Sequence, residues 1–158
     1  MKAFLRKHWI LLFIPFGVAV DQITKSIAEL QLSGMGDVWV IDNFFSFTLA
    51  YNTGAAWGMF AGQRWFLIGG PLLVLILCTI FYFQSKKIHL NIGLIVIMTG
   101  AIGNLIDRIA TGAVVDFLRF LPFGYDFPVF NFADMCITLG CIYMMICLFF
   151  EKEDLKNA

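Results

Sequence analysis

Four aspartates lie within one segment of this 158-residue chain, between strongly apolar flanks: Asp107, Asp116, Asp126 and Asp134. An ionised carboxylate at the centre of a bilayer costs roughly 2.5–3.5 kcal/mol on insertion scales. A chain this apolar therefore retains such side chains for a purpose. Paired carboxylates are suited to acid–base chemistry.

Asp116 and Asp134 are the pair best placed for that chemistry. Asp116 follows the apolar doublet Val114-Val115, and Asp134 follows Asn131-Phe132-Ala133. If the intervening chain folds back, the two carboxyl groups share one partly dry pocket and titrate as a coupled pair. One then activates water while the other protonates a substrate carbonyl, as in aspartic proteases. On spacing alone, two unrelated aspartates, one capping a helix and one on a loop surface, are the better interpretation.

The composition is that of an integral membrane protein. Apolar residues make up 60% of the chain and charged residues 14%, against about 25% charged in a typical soluble domain. The length fits one domain, residues 1–158. The net charge is zero, so no basic surface suggests nucleic acid as a partner. We therefore predict an all-α polytopic membrane protein.

Apolar runs predict four transmembrane helices, at about 9–28, 65–84, 88–107 and 134–150. Each run is close to the roughly 20 residues that cross a bilayer. The first, behind a basic tip, also resembles a cleavable signal peptide. Because the apolar pattern resumes through Asp21 and Lys25, we interpret it as a retained helix.

Basic residues predict the orientation. Seven of the eleven fall on one side of the predicted helices: Lys2, Arg6, Lys7, Lys86, Lys87, Lys152 and Lys156. The positive-inside rule places that side, with both termini, in the cytoplasm. The connections at about 108–133 and 29–63 are then extracytoplasmic.

Both outer connections have strand-like patterns. Apolar residues alternate with smaller or polar ones from Phe45 to Tyr51, which is the period of a β-strand. Such an aromatic-rich sheet would rest on the membrane interface. In the second connection, FLRF and FPVF flank a turn-like PFGYD, and Pro128 limits its strand to an edge. This predicted hairpin would return Asp134 towards Asp116.

Polar residues near the acids add to the site. Asn104 and Arg108 share a helix face, and Gly100 and Gly103 one turn earlier allow close helix approach. Arg108 could hold a carboxylate, a lipid phosphate or a substrate carbonyl. A salt bridge with Asp107 or a neighbouring acid is equally compatible with the sequence.

Two further groups precede these residues. Asp21 and Lys25, four residues apart, predict an ion pair that fixes the first helix. Asn52 offers an amide to a substrate backbone, and the small run from Gly54 to Ala56 lets an extended peptide approach closely. A plain Asn-containing turn explains this stretch equally well.

Other chemistries and functions remain as alternatives. His8 and His89 form no HExxH motif, so a zinc protease is poorly supported. Ser26 beside Lys25 leaves a serine–lysine protease as a weak possibility. A small transporter with an ion relay is the main rival, although the charges cluster at one membrane edge. A non-catalytic assembly factor leaves the acid pair unexplained.

The chain resembles the lipoprotein signal peptidases, or signal peptidase II family, along essentially its whole length. Five segments carry the resemblance, in order: residues 21–25 (DQITK), 52–58 (NTGAAWG), 103–108 (GNLIDR), 114–117 (VVDF) and 130–134 (FNFAD). The resemblance implies a bacterial membrane aspartic endopeptidase. Such an enzyme cleaves prolipoproteins before a diacylglyceryl-modified cysteine.

The resemblance also implies roles for individual residues. The family's catalytic aspartates correspond to Asp116 and Asp134. Its other polar or small site residues correspond to Asp21, Lys25, Asn52, Gly54, Asn104, Arg108 and Asn131. It further implies a small extracytoplasmic β cradle on four helices, in the bacterial cytoplasmic (inner) membrane. The expectations extend to membrane lipids as partners, inhibition by globomycin-type cyclic peptides, a monomer, and no metal or organic cofactor.

Overall fold

The computed structural model describes residues 8–55, 59–60 and 62–156, with side chains to residue 150. A 3₁₀ turn at Trp9–Leu12 leads into the first helix. The four helices are α1 (Phe13–Leu32), α2 (Arg64–Gln84), α3 (Ile88–Ala110) and α4 (Phe132–Lys156). The three strands are β1 (Val38–Ile41), β2 (Phe45–Asn52) and β3 (Val114–Phe120).

Four helical segments of the described chain are long and apolar enough to span a membrane: Trp9–Leu32, Arg64–Gln84, Ile88–Ala110 and Phe132–Phe150. The predicted four-helix architecture is therefore confirmed. Lys2, Arg6 and Lys7, on which the predicted orientation partly depends, lie outside the described residues.

Helix α3 is the centre of the bundle. In its apolar span 61% of the residues are buried, against 11–17% in the other three. Gly100 faces α4 so closely that an added Cβ would overlap the Ala133 carbonyl oxygen. A Cβ at Gly103 would lie 2.5 Å from an Asp21 carboxylate oxygen of α1. The predicted close approach of helices at these glycines is confirmed.

The strands form one antiparallel sheet in the order β1-β2-β3. The alternating pattern correctly predicted β2, which pairs with β3 so that Ala50 lies opposite Asp116. Phe47 and Leu49 of β2 pack with Phe117 of β3 against a small cluster on α1. The sheet is thereby fixed to the outer end of α1.

The predicted hairpin of the second connection forms only in part. Strand β3 pairs mainly with β2, and the arm after the turn meets β3 through one antiparallel bridge, between Phe130 and Leu118, and through a hydrogen bond of 3.0 Å from the Phe127 N–H to the Phe120 carbonyl oxygen. Pro128 has no N–H group to extend that pairing. The turn at Pro122–Gly124 still reverses the chain, with Phe123 and Gly124 at positive φ. The chain thus returns to begin α4 beside β3.

Candidate active site

Asp116 lies in the middle of β3 and is 2% exposed. Its Oδ1 atom accepts a hydrogen bond of 2.6 Å from the Asn131 side-chain amide. Its Oδ2 atom accepts one of 3.1 Å from the Asn52 amide at the end of β2. A buried carboxyl group is thus held by two neutral donors, and no cation of the described residues forms an ion pair with it.

Asp134 lies in the first turn of α4, where the helix dipole favours negative charge. Its Oδ2 atom accepts the Asn131 backbone N–H at 3.2 Å, and the Asp134 N–H donates to Asn131 Oδ1 at 3.0 Å. This reciprocal arrangement has the geometry of a capping box. The Oδ1 atom of Asp134 accepts a hydrogen bond of 2.7 Å from the Asn104 side-chain amide. The helix start therefore fixes the orientation of this carboxylate.

Asn131 joins the two aspartates and is fully buried. Its side-chain amide donates to Asp116 and to Asn104. Its backbone N–H donates to the Asp134 carboxylate, and its side-chain oxygen accepts the Asp134 backbone N–H. Both carboxyl groups line one cavity of about 550 Å³, here called the active-site cavity. The structure thus brings together the two residues that the sequence proposed as a pair.

The electrostatic setting of Asp116 suits a proton donor. Burial raises the pKa of Asp116, and the nearby Asp134 carboxylate raises it further, to about 7. The amides of Asn52 and Asn131 oppose this shift because they stabilise the ionised form. Burial and the neighbouring carboxylate therefore both favour the protonated form of Asp116.

Arg108 lines the active-site cavity and contacts Gly54 beside it. The Arg108 side chain donates from Nη2 to the Gly54 carbonyl oxygen at 3.2 Å. Gly54 in turn donates its N–H to Asn52 Oδ1 at 2.9 Å, so the Asn-containing turn is present. Asp107, one of the alternative partners considered for Arg108, is paired with Lys25. Of the predicted small run, Ala56 lies outside the described residues, as do Trp57 and Gly58 of the same motif.

Asp21 and Lys25 form the predicted ion pair, at 2.8 Å, but it has further members. The Lys25 ammonium also lies 2.8 Å from Asp107 Oδ2 and donates to Asn104 Oδ1 at 2.9 Å. Its three protons are thereby engaged, so it offers no base to a serine nucleophile. Asp21 Oδ1 accepts the Ala133 N–H at 2.9 Å. This buried cluster adjoins the cavity and fixes the start of α4.

Gln22 is a contributor that the sequence reasoning did not assign. Its amide donates to Asp107 Oδ1 at 2.9 Å, to Asp21 Oδ2 at 3.1 Å and to the Gly103 carbonyl at 3.3 Å. Two of these partners lie on α3, far away in the chain. Its position next to Asp21 was the only local signal, and it does not specify such contacts.

The active-site cavity also has an apolar wall. Met135, Ile137 and Leu139 of α4 continue it from the carboxyl pair into the membrane-spanning part of the helix. The cavity therefore joins acid–base groups to a surface that suits hydrocarbon. Among residues that the structure describes, no group of three or more His, Cys, Asp or Glu side chains is placed to hold a metal ion.

Comparisons with known proteins agree with this geometry. A family model described as "Signal peptidase (SPase) II" matches residues 13–150. The lipoprotein signal peptidase of Staphylococcus haemolyticus (strain JCSC1435) is 37% identical over 149 residues, which are 90% of this chain and 94% of that protein. The one from Symbiobacterium thermophilum is 42% identical over 125 residues, 78% of this chain and 82% of that protein.

A solved structure is similar over the same extent. It is a bacterial membrane enzyme structure obtained by the in meso method at 2.3 Å resolution. It superposes with a TM-score of 0.81 and 34% sequence identity. The match covers 92% of this chain and 90% of that one.

Proposed function

Because the chain belongs to the signal peptidase II family, we propose that it works as an aspartic endopeptidase with Asp116 and Asp134 as its catalytic pair. The family processes prolipoproteins, so this multi-pass membrane protein is a protease and not the transporter or assembly factor considered as alternatives. The observation that carries the aspartic mechanism is the pair of carboxyl groups in one cavity, the buried Asp116 and the half-buried Asp134, joined by Asn131.

The two aspartates have different roles in this mechanism. Asp116, with its pKa raised to about 7, holds the proton and acts as the acid. Asp134, at the positive end of the α4 dipole, is the carboxylate that acts as the base. Asn131 orients both, and Asn52 and Asn104 each orient one.

Hydrolysis then follows in two steps. Asp134 takes a proton from water as the water oxygen bonds to the scissile carbonyl carbon, and Asp116 gives its proton to the carbonyl oxygen. In the second step the carbonyl re-forms as the C–N bond breaks. The leaving nitrogen takes the proton from Asp134, and a hydroxyl proton of the hydrate returns to Asp116. Both carboxyl groups end as they began, ready for another turnover.

The cavity suits a lipid-modified substrate. The diacylglyceryl chains of the modified cysteine lie against the apolar wall at Ile137 and Leu139, among membrane lipids, while the scissile bond lies at the carboxyl pair. The Arg108 guanidinium and the Asn52 amide, which also line the cavity, orient the peptide backbone. A globomycin-type cyclic peptide would inhibit by occupying the same cavity.

The membrane placement is also part of the proposal. The protein lies in the bacterial inner membrane as a monomer, with both termini in the cytoplasm and the site at the extracytoplasmic face. Exported prolipoproteins present their modified cysteine at that face. Lys86 and Lys87 between α2 and α3 support this orientation by the positive-inside rule.

Cleavage of a diacylglyceryl-modified prolipoprotein by the purified protein tests the proposal. Asp116→Asn and Asp134→Asn should each lower kcat/KM by roughly 10²–10⁴-fold, the usual contribution of general acid–base catalysis. Asp42→Asn, at an exposed aspartate in the β1–β2 turn, is the matched control and should keep wild-type activity. An unlipidated substrate should be cleaved poorly. Near-wild-type processing by either dyad variant, in folded form, would refute the pair.

A further inference from the structure

A second cavity, of about 450 Å³, lies on the sheet beside the active site and is here called the outer cavity. It is lined by Thr48 and Ala50 of β2, Arg119 of β3 and residues 126–129. Residues 127–129 also line the active-site cavity, so the two share a wall. Ala50 lies opposite Asp116 in the sheet register, which places the outer cavity directly next to the acid pair.

The two cavities extend from the acid pair over different surfaces. The active-site cavity follows α4 into the membrane-spanning region, where the substrate's acyl chains and signal helix belong. The outer cavity follows the sheet towards Thr48, away from that helix. The outer cavity therefore offers a separate surface to the part of a substrate that lies beyond the scissile bond. Thr48 lies two residues beyond Ala50, or roughly 7 Å along a strand, the reach of about two extended residues.

The outer cavity contains a cluster of charged side chains. Arg119 donates from Nε and Nη2 to the two oxygens of Asp126, at 3.0 and 2.8 Å, and from Nη1 to Asp37. All three guanidinium nitrogens of Arg119 therefore donate hydrogen bonds. Arg119, Asp126 and Asp37 together carry a net charge of one negative unit. Asp126 is 60% exposed, so it faces whatever enters. An acidic side chain meets repulsion here, and a basic one meets the free side of a carboxylate.

We propose that the outer cavity binds the two residues that follow the modified cysteine and discriminates against acidic side chains at those positions. This inference rests on the proposed reaction at Asp116 and Asp134. It adds Asp126 and Arg119 as specificity-determining residues. Because the cluster is partly exposed, salt should screen the effect, which acts over a Debye length of about 10 Å at 0.1 M.

The test uses diacylglyceryl-modified substrates with Lys, Asn or Asp at each of the two positions in turn, cleaved by the purified protein. We expect kcat/KM to be about two- to fivefold higher for Lys than for Asp at low salt, the size of a partly exposed charge interaction. This ratio should approach one in 1 M salt, because the Debye length is then about 3 Å and the charges are largely screened from each other. A ratio of one at low salt would overturn the proposal.

Two variants with opposite expected effects locate the selectivity. Asp126→Asn should reduce the Lys-to-Asp ratio, because it removes the excess negative charge. Arg119→Gln should increase the ratio, because it leaves two unpaired carboxylates. Asp42→Asn, outside the cavity, should leave the ratio unchanged. An unaltered ratio in both cavity variants would refute the assignment even if the wild type is selective.

The Asn substrate separates this inference from the proposed function. If the wild type cleaves the Asn substrate and Asp116→Asn does not, the catalytic proposal stands whatever the Lys-to-Asp ratio is. If neither protein cleaves it, the proposed function fails first, and the inference that depends on it fails too.

Discussion

At the scale of single residues, the acid pair is oriented by amides. Asn52, Asn104 and Asn131 supply neutral donors to the two carboxyl groups, while the nearby Lys25 ammonium is engaged by Asp21 and Asp107. A lysine in direct contact with either carboxyl group would hold it ionised and remove the proton that the acid must carry. In the proposed mechanism, the separation of Lys25 from the pair therefore allows the two carboxyl groups to hold one proton.

The raised pKa of Asp116 predicts a limit on activity at alkaline pH. If Asp116 acts in its protonated form, kcat/KM should fall as the pH rises through about 7, approaching tenfold per pH unit above that value. Asn52→Leu removes a donor that stabilises the ionised form, so this limb should move to higher pH. A pH–rate profile of both proteins measures the effect. A profile that is flat or rising from pH 6 to pH 9 would contradict the assignment of Asp116 as the acid.

The buried cluster around Lys25 predicts an order of stabilities. Lys25→Met leaves Asp21 and Asp107 buried without their cation, and removal of one partner of a buried ion pair typically costs about 3–5 kcal/mol. Asp107→Asn should cost less, because Asp21 and Lys25 then balance. Thermal unfolding in detergent compares the two variants, with Lys86→Met, at an exposed lysine, as control. A more stable Lys25→Met than Asp107→Asn would show that the cluster is not held by charge.

At the scale of elements, α3 determines where the two halves of the site meet. Its glycines let α1 and α4 approach closely, and the α4 N-terminus that carries Asp134 is positioned by Asp21 through Ala133. Strand β3 supplies Asp116 from the other side. Any change that moves α4 away from α3 therefore separates the acids.

Gly100→Ala tests this packing. The added Cβ would overlap the Ala133 carbonyl one residue before Asp134, so we expect a loss of about 1–3 kcal/mol in the free energy of unfolding, as for other overpacked sites. Peptidase activity should fall as well. Gly69→Ala in α2 is the matched control, since nothing lies within 4 Å of its added Cβ. Equal stability and activity of the two variants would show that the close contact is not required.

Sequence patterns predicted the elements better than their contacts. Bilayer-length apolar runs gave four helices, and the alternation from Phe45 to Tyr51 gave β2, because both patterns are local. The pairing of β2 with β3 was not predictable in this way, and the returning arm pairs with β3 less extensively than the predicted hairpin requires. Pairing between strands depends on register and on neighbours distant in sequence.

In the site as well, individual residues were predictable from the sequence and most of their long-range contacts were not. Asp116 and Asp134 could be proposed as a pair from their types and apolar surroundings, and the small residues at 100 and 103 indicated close helices. Gln22 and the Lys25–Asp107 pair could not, because each joins α1 to α3 across a long stretch of chain. Contacts between residues this far apart in the chain produce no periodic pattern in a single sequence.

At the scale of the whole molecule, charge and hydropathy together predict an orientation. Phe123 is fully exposed in the turn after β3, and Lys86 is exposed between α2 and α3. In a variant whose four cysteines are replaced by alanine, Phe123→Cys should react with an impermeant maleimide added outside intact spheroplasts. Lys86→Cys should react only after the membrane is opened. The reverse pattern would invert the topology and place the acid pair on the cytoplasmic side.

The position of Asp134 in the last helix has a consequence for biogenesis. Helices enter a membrane in the order of their synthesis, and Asp116 precedes the turn at Pro122–Gly124 while Asp134 follows it. A nascent chain that has inserted α1, α2 and α3 holds only one of the two acids, without Asn131 to orient it. With Asp116 and Asp134 as the proposed catalytic pair, the protein acquires peptidase activity only when α4 docks on α3. The order of the elements would then prevent peptide-bond cleavage by partly synthesised chains.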